Sequence, residues 1–177
     1  MARPNPPVIH LLVAMVVVLV PVFLIVAWFT RIPEPQPNVV DARPVVAAAR
    51  EAGYPVLAPA ELPDGWVATR ARWTPRGQAG LNREPVPGNT IALGFLSPER
   101  QYFAIDQRDA LPELLVRDVT RDGRADGESR VGDVTWTRYV SQDRRTRALV
   151  RLDADHATIV SGDVRDDQLE AFTATLR

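Results

Sequence analysis

The sequence predicts an α+β protein. We expect one N-terminal transmembrane helix and one two-layer domain, an antiparallel sheet of about six strands with N- and C-terminal helices packed on it. Three observations predict this architecture. The run 8–29 carries no charged residue, short stretches in the middle of the chain alternate apolar and polar residues, and amphipathic segments flank those stretches near residues 45–52 and 166–176.

The uncharged run from Val8 to Phe29 is the first element. A helix needs about 20 apolar residues to cross a hydrocarbon core of about 30 Å, so this run is long enough. Pro21 removes one helical hydrogen bond, which membrane helices tolerate, and Trp28 lies where an aromatic anchor meets the headgroups. We therefore predict a transmembrane helix over 8–30 that contacts the lipid bilayer through 8–29, with Val8, Pro21, Trp28 and Phe29 as membrane-anchor residues.

A cleaved signal peptide is the alternative interpretation of this run. Signal peptides have an apolar core of about 7–15 residues followed by a small-x-small cleavage site, and this run is longer and ends in Val26-Ala27-Trp28-Phe29-Thr30-Arg31. Arginines flank both ends, so local charge does not decide the orientation. Because the N-terminal tail is very short, we expect residues 1–7 to be cytoplasmic and the C-terminal domain of this cell-membrane protein to be extracytoplasmic.

Composition limits the possible functions. The chain of 177 residues has a net charge of −1, so it lacks the basic field that attracts nucleic acid, and we expect no nucleic-acid partner. It contains no cysteine, which excludes disulfides, thiolate nucleophiles and cysteine-bound metals.

Prolines dominate the segment after the apolar run. Residues 31–44 include Pro33, Pro35, Pro37 and Pro44, which predicts a semi-rigid linker, and 45–177 then form the extracytoplasmic domain. A short helix follows, capped by Asp41, with Pro44 in its first turn and Gly53 at its end. Its predicted apolar side consists of Val45, Ala48, Ala49 and Ala52.

Six strands are predicted from period-2 alternation, starting with 66–73, where Val67, Thr69, Ala71 and Trp73 alternate with polar residues. The other five are 91–96, 101–107, 134–140, 146–152 and 157–161. Residues 109–119 could be helical or irregular, and the polar segment 121–132 is predicted to be a loop. A helix from Asp166 ends the domain, with Leu169, Phe172 and Leu176 facing the core.

Candidate chemistry centres on His156, the one histidine beyond the apolar run. With Asp153, Asp155, Asp163, Asp166 and Asp167 it could form a divalent-metal site if the fold gathers them, and with Ser141 or Ser161 it could form a nucleophilic triad. We expect neither, because the neighbouring acids indicate an exposed turn. The prediction is no catalytic residue, no cofactor and no metal site.

Three further patterns have ordinary explanations. Residues 122–133 resemble the start of an EF-hand loop, but Arg124 occupies a ligand position, so a plain turn is expected. The basic stretch 144–147 with Arg151 could meet anionic headgroups or wall phosphates, although a solvated hairpin tip is preferred. Trp66, Trp73 and Trp136 are expected to pack in the core.

Four short motifs carry a resemblance that spans nearly the whole chain: Tyr54-Pro55-Val56-Leu57-Ala58-Pro59, Leu62-Pro63-Asp64-Gly65-Trp66, Val131-Gly132-Asp133-Val134-Thr135-Trp136 and Leu169-Glu170-Ala171-Phe172. The chain resembles domain of unknown function 4245. That resemblance implies a single-pass membrane protein of actinobacteria and supplies no activity. A fainter similarity to the sensor domains of some anti-sigma factors implies a protein partner in the membrane.

Two functional hypotheses follow. The preferred one is a non-catalytic binding or scaffolding module of the cell envelope, with an unidentified envelope or membrane protein as partner. The alternative is an envelope hydrolase or metal-binding domain that uses His156 and nearby aspartates. A cleft in which His156 meets two or more carboxylates would favour the alternative.

Overall fold

The computed structural model describes residues 8–29, 37–154 and 156–177. The chain divides into two compact units, 1–37 and 38–177. The described helices are α1 (Val8–Phe29), α2 (Arg43–Glu51), α3 (Pro112–Thr120) and α4 (Asp166–Thr173). The described strands are β1 (Val67–Thr74), β2 (Thr90–Leu96), β3 (Tyr102–Arg108), β4 (Arg124–Val131), β5 (Val134–Val140), β6 (Arg147–Asp153) and β7 (His156–Gly162).

Helix α1 makes up the described part of the first unit. It begins at Val8, contains Pro21 and ends with Trp28 and Phe29, and the apolar side chains described along it are exposed. It is long and apolar enough to cross a membrane. Residues 1–7, Thr30 and residues 31–36 of the predicted linker lie outside the described residues.

The second unit is built on one antiparallel sheet with strand order β1-β2-β3-β7-β6-β5-β4. Two meanders, β1 to β3 and β4 to β7, join where β3 pairs with β7. The predicted α+β class is confirmed, and the N- and C-terminal helices of the unit pack on the sheet as expected. The sheet has seven described strands, one more than predicted.

The additional strand is β4, which lies in the segment predicted to be a loop. It is polar because it is an edge strand, exposed along most of its length, and Ser129 is its one buried residue. A register shift between Ala125 and Glu128, at Gly127, interrupts its pairing with β5. Polar residues and bulges are typical of edges that must not pair with other chains, so the alternation that marks a half-buried strand is missing.

The two faces of the sheet are covered differently. On the helix-pair face, α2 and α4 enclose the larger core, which includes Leu93, Phe103, Ile105, Leu149 and Val160. On the α3 face, Leu115 and Val116 pack on a smaller cluster from β6 and β7. The segment 109–119, which the sequence left undecided, thus forms a helix on the opposite face from the other two.

A bulge in β1 decides which side chains reach each face. The register shifts between Ala68 and Arg70, so Ala68, Ala71 and Trp73 all contact the larger core. The predicted alternation is correct for Ala71 and Trp73 and wrong for Val67 and Thr69, because one extra residue reverses the faces. Arg70 and Arg72 therefore lie on the α3 face.

Helix α2 begins as predicted with Pro44 in its first turn, and Gly53 follows it in the left-handed region with φ +78°. Asp41 does not cap it formally, since Ala42 is the N-cap residue. The Asp41 carboxylate instead accepts hydrogen bonds from the backbone N–H and the guanidinium of Arg43, each at 3.0 Å. The core side consists of Val45, Val46 and Ala49, whereas the predicted Ala48 and Ala52 are exposed.

Helix α4 begins at Asp166 as predicted and buries Leu169 and Phe172. The Phe172 ring stacks on Trp66 at a centroid distance of 5.4 Å and also contacts Phe95 and Phe103. Leu176 lies beyond the helix and forms a β-bridge with Pro59. It still packs against the core, but not as a residue of the helical face that the sequence predicts.

Candidate functional site

An apolar groove of about 950 Å³ lies between α2 and the segment 58–62. We call it the α2 groove. Its apolar lining includes Val39, Val40, Val46, Ala58, Leu62, Trp66, Val67 and Phe95. Arg43, Arg50 and Arg177 also line the groove, and Arg50 donates a hydrogen bond to the Arg177 carbonyl at 3.4 Å. The groove can therefore accept an apolar ligand, with arginines beside it.

The walls of the α2 groove are fixed by backbone hydrogen bonds. One wall is α2 and the second wall is the segment 58–62. Pro55, Pro59 and Pro63 prevent the chain around this second wall from forming a helix. Two hydrogen bonds between Ala58 and Arg177 tie that wall to the C-terminal segment, and the Val40 N–H donates to the Ala68 carbonyl at 2.9 Å on the other side. Trp66, stacked on Phe172, is anchored in the core and also lines the groove. The groove is thus preformed.

A second, more polar cleft of about 720 Å³ lies on the α3 face, between α3 and the loop 80–87. We call it the arginine cleft. Its floor is formed by Arg70 and Arg72 of β1, Thr90 and Ala92 of β2, and Ala104, Asp106 and Arg108 of β3. Because alternate residues of a strand point to one face, β3 places Ala104, Asp106 and Arg108 here while Phe103 and Ile105 enter the larger core.

Asp106 is a buried carboxylate at this floor. Arg70 Nη2 lies 3.5 Å from Asp106 Oδ1, and the Asp106 side chain is 11% exposed. Burial raises the pKa of the Asp106 carboxyl, while Arg70 and Arg108 act in the opposite direction. The Arg108 Nε is also buried, and it has no hydrogen-bond partner among the described residues.

Arg72 is held more firmly than its neighbours. Its Nε donates to Thr74 Oγ1 at 3.2 Å, and its Nη2 donates to the Ala79 carbonyl at 3.1 Å. These bonds orient the guanidinium toward the start of the 75–89 loop. The cleft therefore contains one immobilised arginine and two arginines near a shared carboxylate.

His156 is the first residue of β7 and is half-buried, so the expected exposed turn is wrong. The Tyr54 ring lies over it at a centroid distance of 5.4 Å. The His156 Nε2 and the Tyr54 hydroxyl are buried without hydrogen-bond partners among the described residues. Burial lowers the pKa of His156 and Asp153 opposes that shift, whereas burial raises the pKa of Tyr54.

The predicted metal candidates are not brought together within the described part of the chain. The Asp153 carboxylate binds Arg151 Nε at 2.8 Å, and Asp155 lies outside the described residues. No group of three His, Asp or Glu side chains suited to a metal ion occurs in the residues 8–29, 37–154 and 156–177.

The serines of the possible triad also lie apart from His156. Ser161 is on the same strand five residues away, which corresponds to about 17 Å, and it faces the arginine cleft. Ser141 belongs to the β5–β6 turn, where its hydroxyl donates to Asp143 Oδ1 at 2.6 Å and accepts from the Thr146 N–H. Ser141 has a local role in its turn, Ser161 faces the opposite side of the sheet from His156, and the described residues assemble no triad from them.

The remaining sequence candidates have structural partners. The EF-hand-like segment is mostly strand β4, which excludes a calcium loop there. Arg147 forms an ion pair with Asp166 at 3.0 Å, and Arg151 lies over the Trp136 ring. Trp136 is buried, and Trp73 packs on Tyr54 at 5.0 Å, as the core interpretation predicts.

The arginine cleft was missed from the sequence although two signals for it exist. Asp106 and Arg108 alternate at the end of one strand, and Arg70 and Arg72 alternate on another. Neither signal shows that the two strands lie on either side of β2 with these residues on one face. Recognising the cleft required the sheet order and the bulge.

A comparison with protein families identifies the chain. The model described as "Protein of unknown function (DUF4245)" matches residues 3–176, nearly the entire sequence. The chain belongs to this family. The expected resemblance is therefore confirmed, including its lack of an assigned activity. No curated protein matches this DUF4245 member.

Proposed function

We propose that this chain is a single-pass membrane protein whose extracytoplasmic domain is a non-catalytic binding module of the cell envelope. Helix α1 supplies the membrane anchor, and the domain binds its ligand in the α2 groove. The observation that carries the proposal is this preformed apolar groove, whose lining begins at Val39, ten residues after the end of α1.

The occupant we propose is an acyl chain of a bilayer lipid. Ten residues span at most about 36 Å even when fully extended, so chain length keeps Val39 within that distance of the last residue of α1. Each methylene that leaves water for an apolar site contributes about 0.8 kcal/mol. The groove volume also lies in the range of clefts that hold small ligands.

Photo-cross-linking tests the groove. The full chain is reconstituted into vesicles that contain a phospholipid with a diazirine on its acyl tail, and the cross-linked peptides are identified by mass spectrometry. We expect adducts in 39–50 and 58–68 in addition to adducts in α1. Leu62→Asp places a charge at the groove and should remove the domain adducts. Leu152→Asp, an exposed leucine remote from the groove lining, is the matched control. Adducts confined to α1 would contradict the proposal.

Orientation is tested separately. Protease added to intact, wall-stripped cells should remove the domain, because the proposed topology has the domain on the outer side of the membrane. Protection of the domain, or a mature N-terminus that begins after Phe29, would show that the topology is wrong.

The non-catalytic assignment is supported by the dispersion of the candidate groups. His156, Ser141 and Ser161 lie at separate places in the domain, Ser141 bonds to Asp143, and Asp153 forms an ion pair with Arg151. We expect His156→Ala to leave cellular function nearly intact, and Ca²⁺ or Zn²⁺ to bind no better than millimolar. Calorimetry that finds micromolar metal binding, lost in His156→Ala, would instead establish the metal-site alternative.

A further inference from the structure

We propose that the arginine cleft is a second binding site, specific for a phosphoryl group, in which Arg70, Arg72 and Arg108 hold the oxyanion and Asp106 positions Arg70. This site lies on the α3 face, opposite the α2 groove. It does not depend on the lipid proposal, and either proposal can fail alone.

The first support is that two nearby side chains on β3 lack hydrogen-bond partners. Arg108 Nε is a buried donor with no hydrogen-bond partner among the described residues. The Asp106 carboxylate has one ionic contact, to Arg70 at 3.5 Å, and no hydrogen bond within the described part of the chain. A buried polar group without its partner destabilises the folded state, more so if it is charged, and a complementary ligand would offset that cost.

The second support is the distribution of charge. Three arginines and one carboxylate lie on the strands of the floor. Among the described residues, the whole lining carries four arginines and four acids, but the three other acids lie off the floor strands: Asp118 contacts Arg117 at 3.8 Å, Asp163 accepts from Thr146 Oγ1 at 2.7 Å, and Glu84 accepts from Asn82 at 2.6 Å. Arg121 adds a further cation from the end of α3. The floor therefore presents excess positive charge to a ligand.

The third support is space. Ala92 and Ala104 on the floor are small and buried, and the cleft above them, between the β1 arginines and α3, has a volume of about 720 Å³. Gly94 on the same face leaves room for the Tyr102 ring to lie across β2, with Arg70 beside it. Leu81 and Leu114 line the cleft on either side. A phosphoryl group can therefore reach the arginines while a small organic substituent contacts the leucines.

Guanidinium groups suit this ligand. Each arginine presents a planar fork of donors that matches two oxygens of phosphate, and such charge-assisted pairs are among the strongest hydrogen bonds in proteins. Arginines from β1 and β3 approach from two sides of β2, which favours a tetrahedral oxyanion over a planar carboxylate. Asp106 limits the movement of Arg70 and so reduces the cost of ordering it.

Isothermal titration tests the site. The full chain in a neutral detergent is titrated with inorganic phosphate at constant ionic strength. We expect saturable binding with a dissociation constant below about 1 mM, which corresponds to a binding free energy more favourable than about −4 kcal/mol. Arg108→Gln and Arg70→Gln should each weaken binding at least tenfold. Arg145→Gln, which removes an exposed arginine of the β5–β6 turn, is the matched control and should change nothing.

Two further titrations, with glycerol phosphate and with acetate, distinguish the classes of ligand. Glycerol phosphate stands in for the phosphate ester of a lipid or polymer, and binding tighter than that of inorganic phosphate would assign the site to such an ester. Tighter binding of acetate than of phosphate would overturn the phosphoryl assignment. Equal weakening by Arg108→Gln and Arg145→Gln would also overturn it, since that result indicates general charge attraction. Circular dichroism of each variant confirms that the domain stays folded.

Discussion

Two neighbouring residues of β3, which point to opposite faces of the sheet, differ in how their buried polar groups are paired. On the helix-pair face, Gln107 is fully buried and accepts a hydrogen bond from the Leu57 N–H at 3.0 Å while donating to Thr158 Oγ1 at 3.2 Å. One residue earlier, Asp106 points to the α3 face and lacks such partners. A buried polar group with partners stabilises the fold, whereas one without them indicates a place that a ligand can complete.

The faces also differ in what closes them. On the helix-pair face, the Phe172 ring of α4 contacts three other aromatic rings, each from a different element or segment. On the α3 face, one nine-residue helix covers part of the sheet. Stability should therefore depend mainly on the first face. Sensitivity to ligands and pH should be found where polar groups are buried. Four variants test this division, in decreasing order of expected effect.

Phe172→Ala should have the largest effect. The ring is 4% exposed and contacts three other aromatic rings, so its loss should lower the free energy of unfolding by about 3–5 kcal/mol. Chemical denaturation of the full chain in detergent, followed by near-UV circular dichroism, measures it. Leu176→Ala should cost less, because Leu176 is only partly buried. Unchanged stability of Phe172→Ala would show that α4 does not close the core.

Leu115→Ala probes the other face. Leu115 is 4% exposed but belongs to a much smaller cluster, so we expect a loss of about 2 kcal/mol, at the lower end for such truncations. The same denaturation experiment applies. A loss larger than that of Phe172→Ala would reverse the proposed ranking of the two faces.

Asp106→Asn tests the buried carboxylate through pH. Because burial raises the pKa of Asp106 above its ordinary 3.8, the folded state holds this proton more strongly than the unfolded state. Asp106 should therefore reduce stability as pH rises from about 4 through its raised pKa. The melting temperature of Asp106→Asn, measured between pH 4 and 8, should lack this contribution. Parallel pH profiles for the variant and the wild type would contradict the assignment.

His156→Gln should have the smallest effect on stability. Its effect on the pH dependence of stability should have the opposite sign to that of Asp106→Asn. The pKa of His156 is lowered from the ordinary 6.5, so the unfolded state binds the proton more readily. The wild type should lose stability as pH falls through about 6.5 toward the lowered pKa, and the variant should not. The same melting profiles, compared between pH 5 and 7.5, measure it. A histidine in an exposed turn would produce no difference.

The sequence alone determined the elements whose signal is local. Apolar runs and periodicity depend only on the spacing of residues along the chain. They are sufficient to predict helix α1, strands β2, β3, β5, β6 and β7, and the start of α4. Strand β4 could not be recognised in this way, because an exposed edge strand needs no alternation. The bulge in β1 was equally hidden, since its effect appears only in the register with β2.

Tertiary structure alone decided both candidate sites. The α2 groove depends on α2 and 58–62 lining one cavity, and the arginine cleft depends on β1 and β3 flanking β2 in a fixed register. His156 shows the same limit: two neighbouring aspartates indicated an exposed turn, yet Tyr54, about a hundred residues away, covers the ring. Long-range packing sets burial, and burial sets the chemistry that a side chain can perform.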